Sequence, residues 1–541
     1  MAKSGLSTPF SRRRLLAVGG GVLATSTLAV ILSACGQSAA PSPTAAPAAA
    51  AQPTAAPTQA AAASKPTAAA TTAAQPTTAA TAAPAGTAAP AGTAAAASAT
   101  TPAAAVGNVT YTPAKTTGPV TLRVAAGSTY TSWKGVWDQL VKSYQDANKQ
   151  VTVQLDPGAT GANYDQKLFA DIAAGTLPDI IYTTDNYAAP FKQNKITQDM
   201  LPFARQTNFP ISDFNPTFLN LGMVSGQLHM LPASGDVVIL FINKKLVQQA
   251  GVQIPWQLDY KNNKIWTTDD FYKVCQQLTV DVKGKHGNEA GFDKNNVNIY
   301  GGAMRIDWWA VYVPAIVSFG GQLVSDDLTK SMMNSKEGIA AFEWLSKPVL
   351  DGYWAPFSFL NTLSQTNGAT DAFNGGKAAI TATVHGAVPG IRPNIKDDWD
   401  VAHFYAGPAK RVTGMGTLGF AMSGTTKNPD VAWNFLEYMY DDPGQKIILS
   451  SYGASPVEKR FYNAPFWREL PPPPSNTSVF TDAYDYGILP PRLPFYTTGP
   501  FTKALTDGLT AVQIGQAKPA DVVASVSAEL QKWLDQNSKK S

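Results

Sequence analysis

Residues 164–182, Tyr-Asp-Gln-Lys-Leu-Phe-Ala-Asp-Ile-Ala-Ala-Gly-Thr-Leu-Pro-Asp-Ile-Ile-Tyr, hold a helix, its stop and the start of a buried strand. Tyr164, Leu168 and Ile172 recur four residues apart and line one face of a helix. Gly175 supplies a left-handed end for that helix, and Pro178 blocks its return. Ile180-Ile181-Tyr182 is then a short apolar run, read as a buried strand.

The same grammar extends outward. Val151, Val153 and Leu155 alternate as a strand. Before them Trp133, Val136, Trp137, Leu140, Val141 and Tyr144 keep helical spacing, and Val120, Leu122 and Val124 alternate again. This β-α-β-α-β order predicts an α/β fold with a mainly parallel sheet covered by helices. Downstream, Val237 to Ile242 reads as one continuous apolar strand. Thr267 or Thr268 caps a helix carrying Phe271, Val274, Cys275 and Leu278. Ser335 opens another helix, and Ala378-Ala379-Ile380 is a strand. Asn428-Pro429-Asp430 starts a helix with Val431, Phe435 and Met439 as its buried stripe, and Pro519 starts the last one.

The N-terminus has a different character. Lys3, Arg12, Arg13 and Arg14 precede an apolar stretch from Leu15 to Leu32, too short and too rich in Gly and Ala for a membrane span. It reads as a signal peptide over residues 1–34. Ser11-Arg12-Arg13-Arg14-Leu15-Leu16 resembles a twin-arginine export signal, and Leu32-Ser33-Ala34-Cys35 a bacterial lipobox, with Cys35 as the lipidated residue. The expectation is a protein held by lipid at the outer face of the cytoplasmic membrane. Residues 35–117 follow as an Ala/Pro/Thr-rich tether that cannot bury enough apolar surface to offset the entropy of ordering it. Its span is roughly 50 Å as a flexible coil and about 250 Å as polyproline II.

Without the signal the charge argument changes. The chain carries 42 basic and 38 acidic side chains; removing the four signal cations leaves 38 of each. The basicity belongs to the export signal and gives no reason to expect nucleic acid. Two cysteines occur, Cys35 and Cys275, so the mature fold is expected to carry no internal disulfide. Cys275 reads as a small buried apolar residue.

The four histidines, His229, His286, His385 and His403, have no metal-ligand spacing, and neither a P-loop nor a G-x-S-x-G elbow occurs. Neither metal nor cofactor is expected. Gly414-Met415-Gly416-Thr417-Leu418-Gly419 matches G-x-G-x-x-G, but Phe420-Ala421-Met422-Ser423 looks like a strand where a dinucleotide site needs a helix N-terminus. The glycines are expected to let two segments pass closely, or to let backbone approach a ligand. Asp293, Asn295 and Asn296 are read as a turn, since the Gly and distal Glu of a calcium loop are missing.

Residues 118–540 resemble the bacterial family 1 extracellular solute-binding proteins. The motifs are Ala173-Ala174-Gly175-Thr176-Leu177-Pro178-Asp179-Ile180, Gly226-Gln227-Leu228-His229-Met230-Leu231-Pro232, Phe241-Ile242-Asn243-Lys244-Lys245-Leu246, Phe373-Asn374-Gly375-Gly376-Lys377-Ala378-Ala379 and Lys427-Asn428-Pro429-Asp430-Val431-Ala432. Ala250-Gly251 through Phe271 also fits, with an insert at 256–265. The resemblance implies a two-lobed periplasmic-binding-protein-like (type II) fold with hinge strands and an interlobe cleft. Lobe one would hold 118–235 plus 418–475, and lobe two 237–415 plus 480–540. It further implies a monomer, not an enzyme, that captures a polar small molecule, first of all a carbohydrate, and delivers it to an ABC importer permease.

Ligand contacts are then expected at strand ends facing the cleft. These are Tyr130, beside Ser128 and Thr129; Asp185 and Asn186, beside Thr183, Thr184 and Tyr187; Asp236 at the hinge; Trp308 and Trp309; and Tyr496 in a late loop. Where the family commonly has a stacking Trp, Val388 stands, so His385 is expected to contribute instead. Two other readings stay open: the same fold with a polyamine or peptide ligand, and a lipid-anchored glycoside-active enzyme, which would need two carboxylates about 5–10 Å apart.

Overall fold

The structure, a computed structural model, describes residues 111–127, 129, 133–156, 162–254, 266–489 and 499–537. The signal, Cys35, most of the tether, Tyr130, Tyr496 and the insert lie outside the described residues.

The first sheet follows the predicted order. Strands β1 (Val120–Ala125), β2 (Val151–Asp156) and β3 (Ile180–Thr184) pair in parallel, with β1 in the middle. Between them run helices α1 (Lys134–Ala147) and α2 (Ala162–Ala174). α1 buries Val136, Trp137, Leu140 and Tyr144, the stripe its spacing marks out. A small ladder of β4 (Met223–Val224) with β5 (Gln227–Leu228) precedes β6 (Leu231–Val237).

The second sheet has the order β11-β7-β10-β9-β8. Its strands are β7 (Ile239–Asn243), β8 (Val280–Asp281), β9 (Val297–Ala303), β10 (Ala378–Thr383) and β11 (Trp399–Ala402). Only β9–β10 is parallel there; β7 is antiparallel to β10 and β11. The chain then returns through β12 (Thr413–Met422), antiparallel to both β3 and β6, and β13 (Gly487–Ile488), parallel to β12. Two sheets joined by three passages, β6 to β7, β11 to β12 and β13 onward, make the two-lobed type II fold.

One expectation is corrected here. Val237 to Ile242 is not one strand: β6 ends at Val237 in the first sheet and β7 begins at Ile239 in the second. The run is apolar at every position because its two faces meet different cores. Val237, Ile239 and Phe241 belong to one buried cluster, which takes in the first-sheet core and also Trp399 and Val401 of β11, and Val238, Leu240 and Ile242 belong to another. At Val238 the passage is tied to the next one: its N–H donates to Gly414 O at 2.9 Å, and Thr413 Oγ1 donates to its carbonyl at 2.6 Å.

The helices of lobe two that matter for the site are α3 (Thr268–Leu278), α4 (Trp309–Ser318), α5 (Phe357–Leu363) and α6 (Pro500–Gln513). Thr267 and Asp270 form a reciprocal capping box on α3. Cys275 on that helix is fully buried, and burial pushes its thiol up to about 12. It is a core residue, as its spacing with Phe271 and Leu278 suggests. Asn295 N and Asn296 Nδ2 both donate to the Asp293 carboxylate, so that segment is a side-chain-braced turn.

The tether expectation ran to residue 117, but the stretch from Tyr111 already lies against lobe one. Tyr111 packs edge-on against Tyr144 and Tyr438, and its hydroxyl donates to Asn434 Oδ1 at 2.7 Å. Ala114 N donates to Asn148 Oδ1. A single bulky aromatic with buried partners gives this segment the surface that the Ala/Pro/Thr run lacks.

Candidate solute-binding site

Asp236 is the penultimate residue of β6, one step before the chain leaves the first sheet. It stands directly opposite Gly416 of β12. Paired residues of an antiparallel ladder project to the same face, so the Asp236 side chain rises beside a position that has none. Over that gap lies Trp309: its Cζ2 and Cη2 are 3.8 Å from where a Cβ on Gly416 would sit. Trp309 is the first residue of α4, Trp308 precedes it, and the two rings meet edge to face at 6.4 Å. Both are half-buried.

The glycine motif therefore does two jobs. A Cβ on Gly414 would come within 2.5 Å of Ala310 O, and one on Gly419 within 2.4 Å of Leu231 O. Those two glycines permit close passage of backbone. Gly416 instead keeps open the space between Asp236 and Trp309.

The Asp236 carboxylate is surrounded by protein, although the residue as a whole is only half-buried. Burial raises its pKa to about 6, opposed by the Ser234 hydroxyl and the Gly386 N–H, which both donate to it. The Ser234 bond is long, 3.4 Å. Thus the carboxylate holds a charge that burial penalises and that these two donors only partly offset. On the lobe-one side, Thr184 ends β3 opposite Leu418, two residues along from Gly416. A nine-residue helix begins immediately after it at Asp185. This brings the Thr184–Asp185 junction, Gly416, Asp236 and Trp309 to one end of the sheet, at the hinge. The side chains of Asp185 and Asn186 lie outside the described atoms.

Several expected residues sit elsewhere. His385 is fully buried among Tyr452, Trp467 and Phe480, at ring distances of 6.3, 5.1 and 4.4 Å. Burial lowers its pKa to about 3, and its ring faces the core. The cleft-side group of that turn is its neighbour: the Gly386 N–H reaches Asp236. Val388 is likewise buried core. Thr129 is 1% exposed and is spent on Ala126 O and Trp137 Nε1. Tyr187 stacks on Phe191 at 5.1 Å. Sequence reasoning missed Ser234, Gly386 and the role of Gly416 as empty space. Only the last had a signal, in the glycine motif already read as allowing backbone near a ligand. A depression of about 310 Å³ lined by Val317, Gly320, Gln322 and Lys410 lies at the far end of α4 and includes none of these residues.

A hinged two-lobed fold with an acid and an aromatic pair at the crossover defines a solute-binding class of protein. Residues 139–472 match the family described as bacterial extracellular solute-binding protein, and the chain belongs to that family. A binding protein of Brucella abortus is 22% identical over 418 residues, covering 76% of this chain and 92% of its own. Solved structures share the fold at low identity. The substrate-binding protein Lmo0181 of Listeria monocytogenes, in complex with cycloalternan, has a TM-score of 0.65 at 19% identity, covering 77% of this chain and 99% of that one. UgpB of Mycobacterium tuberculosis, in complex with glycerophosphocholine, has 0.63 at 17%, covering 78% and 100%. The GacH receptor of Streptomyces glaucescens, studied with acarbose, has 0.61 at 17%, covering 77% and 98%. Among the described residues no helix is long and apolar enough to cross a membrane.

Proposed function

We propose that this protein is the extracytoplasmic binding component of an ABC importer, that it captures a carbohydrate between its lobes, and that it hands it to a membrane permease. The observation that carries this is the juxtaposition of Asp236 and Trp309 across Gly416. Sugars present hydroxyl donors to a carboxylate and apolar ring faces to an indole. A desolvated carboxylate gains from such donors, and Gly416 lets the Trp309 indole lie close over β12 beside Asp236. The relatives solved with cycloalternan and acarbose support the choice of solute class. Contacts that close the lobes are worth their full energy only in the closed state, so the hinge at Val238 converts binding into a shape the permease reads. Tyr130, Asp185, Asn186 and Tyr496 are part of this reading as further solute contacts. Cys35, in this reading, moors the monomeric module at the outer membrane face.

A second reading has its own support. A carboxylate beside an indole also suits an organic cation, and the relative solved with glycerophosphocholine carries one. A thermal-shift screen with maltotriose, glycerol, glycerophosphocholine and spermidine separates the two, because a ligand that binds only the native state raises its melting temperature. A shift with maltotriose is expected. A shift confined to the amines would replace the sugar with a cation.

A further inference from the structure

The approach to Trp308 and Trp309 is held by more than its own short turn. Arg305 makes a forked pair with Asp307, Nε to Oδ1 at 2.9 Å and Nη2 to Oδ2 at 2.7 Å. Their side chains are only 17% and 8% exposed. The remaining arm of the guanidinium, Nη1, donates to Asn361 Oδ1 on α5 at 2.8 Å, and the guanidinium also lies 4.8 Å from the Phe357 ring centroid. Asp307 Oδ2 in turn accepts from Thr506 Oγ1 on α6 at 3.1 Å. Arg305 O accepts the Trp308 N–H at 2.9 Å. One ion pair therefore ties the approach to α4 onto two other helices, and the tryptophan pair is the next thing in the chain.

We propose that Arg305 and Asp307 are positioning residues for the Trp308–Trp309 pair, fixing by their fork to α5 and α6 where the aromatic wall stands over Gly416. The fork resists rotation because both bonds must break together, which a single point charge would not require. Neither residue needs to touch solute. The effect on sugar affinity rests on the carbohydrate reading above; the placement of the rings does not.

The test uses the full chain labelled with 5-fluorotryptophan, which places one fluorine on each of its twelve tryptophans. Trp308→Phe and Trp309→Phe assign the two resonances, and single Phe variants assign Trp399 and Trp433, which are buried elsewhere. In Asp307→Asn, and to a smaller extent in Arg305→Lys, the Trp308 and Trp309 resonances shift or broaden while those of Trp399 and Trp433 stay. Maltotriose affinity falls about tenfold with them. Should Asp307→Asn fail to fold, Thr506→Val removes one hydroxyl contact and gives a weaker shift of the same two resonances. Unmoved Trp308 and Trp309 resonances, or movement no greater than that of Trp399 and Trp433, overturns the proposal. The fluorine spectra need no solute. A native chain that ignores maltotriose therefore refutes the sugar reading without touching the brace.

Discussion

Asp236 and Gly416 face one another in the ladder between β6 and β12, so the hinge carboxylate stands beside a position with no side chain. Trp309 covers that gap at ordinary van der Waals distance from a Cβ placed there, 3.8 Å. Gly416→Ala should therefore fold normally and bind solute within a few-fold of the native chain. Gly416→Leu should push the Trp309 ring aside and weaken binding by at least about tenfold, at a cost of about 1–3 kcal/mol in stability. Calorimetric titration of both variants decides it; undiminished affinity in the Leu variant would move the site elsewhere.

Binding should depend on pH through Asp236. Its carboxyl titrates near pH 6, raised by burial. In the proposed site the ionised form accepts solute hydroxyls, so affinity should rise with pH through that value. The association constant at pH 5 should be about tenfold lower than at pH 7. Asp236→Asn should flatten the profile. Stability of the unliganded protein runs the other way. The folded pKa lies above the unfolded one, so the native state loses stability as pH climbs from about 4 through 6.

Lobe one holds a buried excess of acid around one guanidinium. Arg460 Nη2 donates to Glu458 at 2.8 Å, and Nε lies 3.5 Å from Asp213. Asp441, close by, is raised to about 7, first by burial and then by Asp442. Asp441 Oδ1 caps the following helix through Gly444 N at 2.8 Å, a bond that an asparagine can also accept. Because the folded pKa is raised, ionised Asp441 costs stability as pH rises through 7. Asp441→Asn should raise the melting temperature by roughly 2–4 °C at pH 8 and by less than half of that at pH 5, because the loss grows from about pH 4 to 7. An equal shift at both pH values would contradict this.

Gly127, two residues beyond β1, has φ +58°, and a Cβ there would fall 2.3 Å from the Tyr182 ring. Left-handed backbone and a collision act together, so Gly127→Ala should destabilise by about 2–4 kcal/mol, read from the denaturation midpoint at unchanged m-value. Tyr182→Ala in the same chain should recover part of that loss, since it removes the ring but not the backbone strain.

Much of the fold is legible in the sequence because its signals are local. The stripe Trp137, Leu140 and Tyr144, the stop at Gly175 and the box Thr267–Asp270 each act within a few residues. The split at Val238 is not legible, since an apolar run buried on both faces looks the same whether one core or two bury it. His385 shows the same limit at the site. A histidine at a strand end looks cleft-facing, and only the third dimension turns its ring to Phe480 and leaves the Gly386 N–H to reach Asp236. The Arg305–Asp307 fork joins residues two apart, but what makes it informative is Asn361 and Thr506, far along the chain.

Solute is proposed to sit between Asp236 and Trp309. The most direct test of this placement is titration calorimetry of maltotriose into the native chain, Asp236→Ala and Trp309→Ala at pH 7. Saturable binding by the native chain, weakened at least about tenfold in each variant, is the predicted result. Equal binding by all three proteins would contradict it.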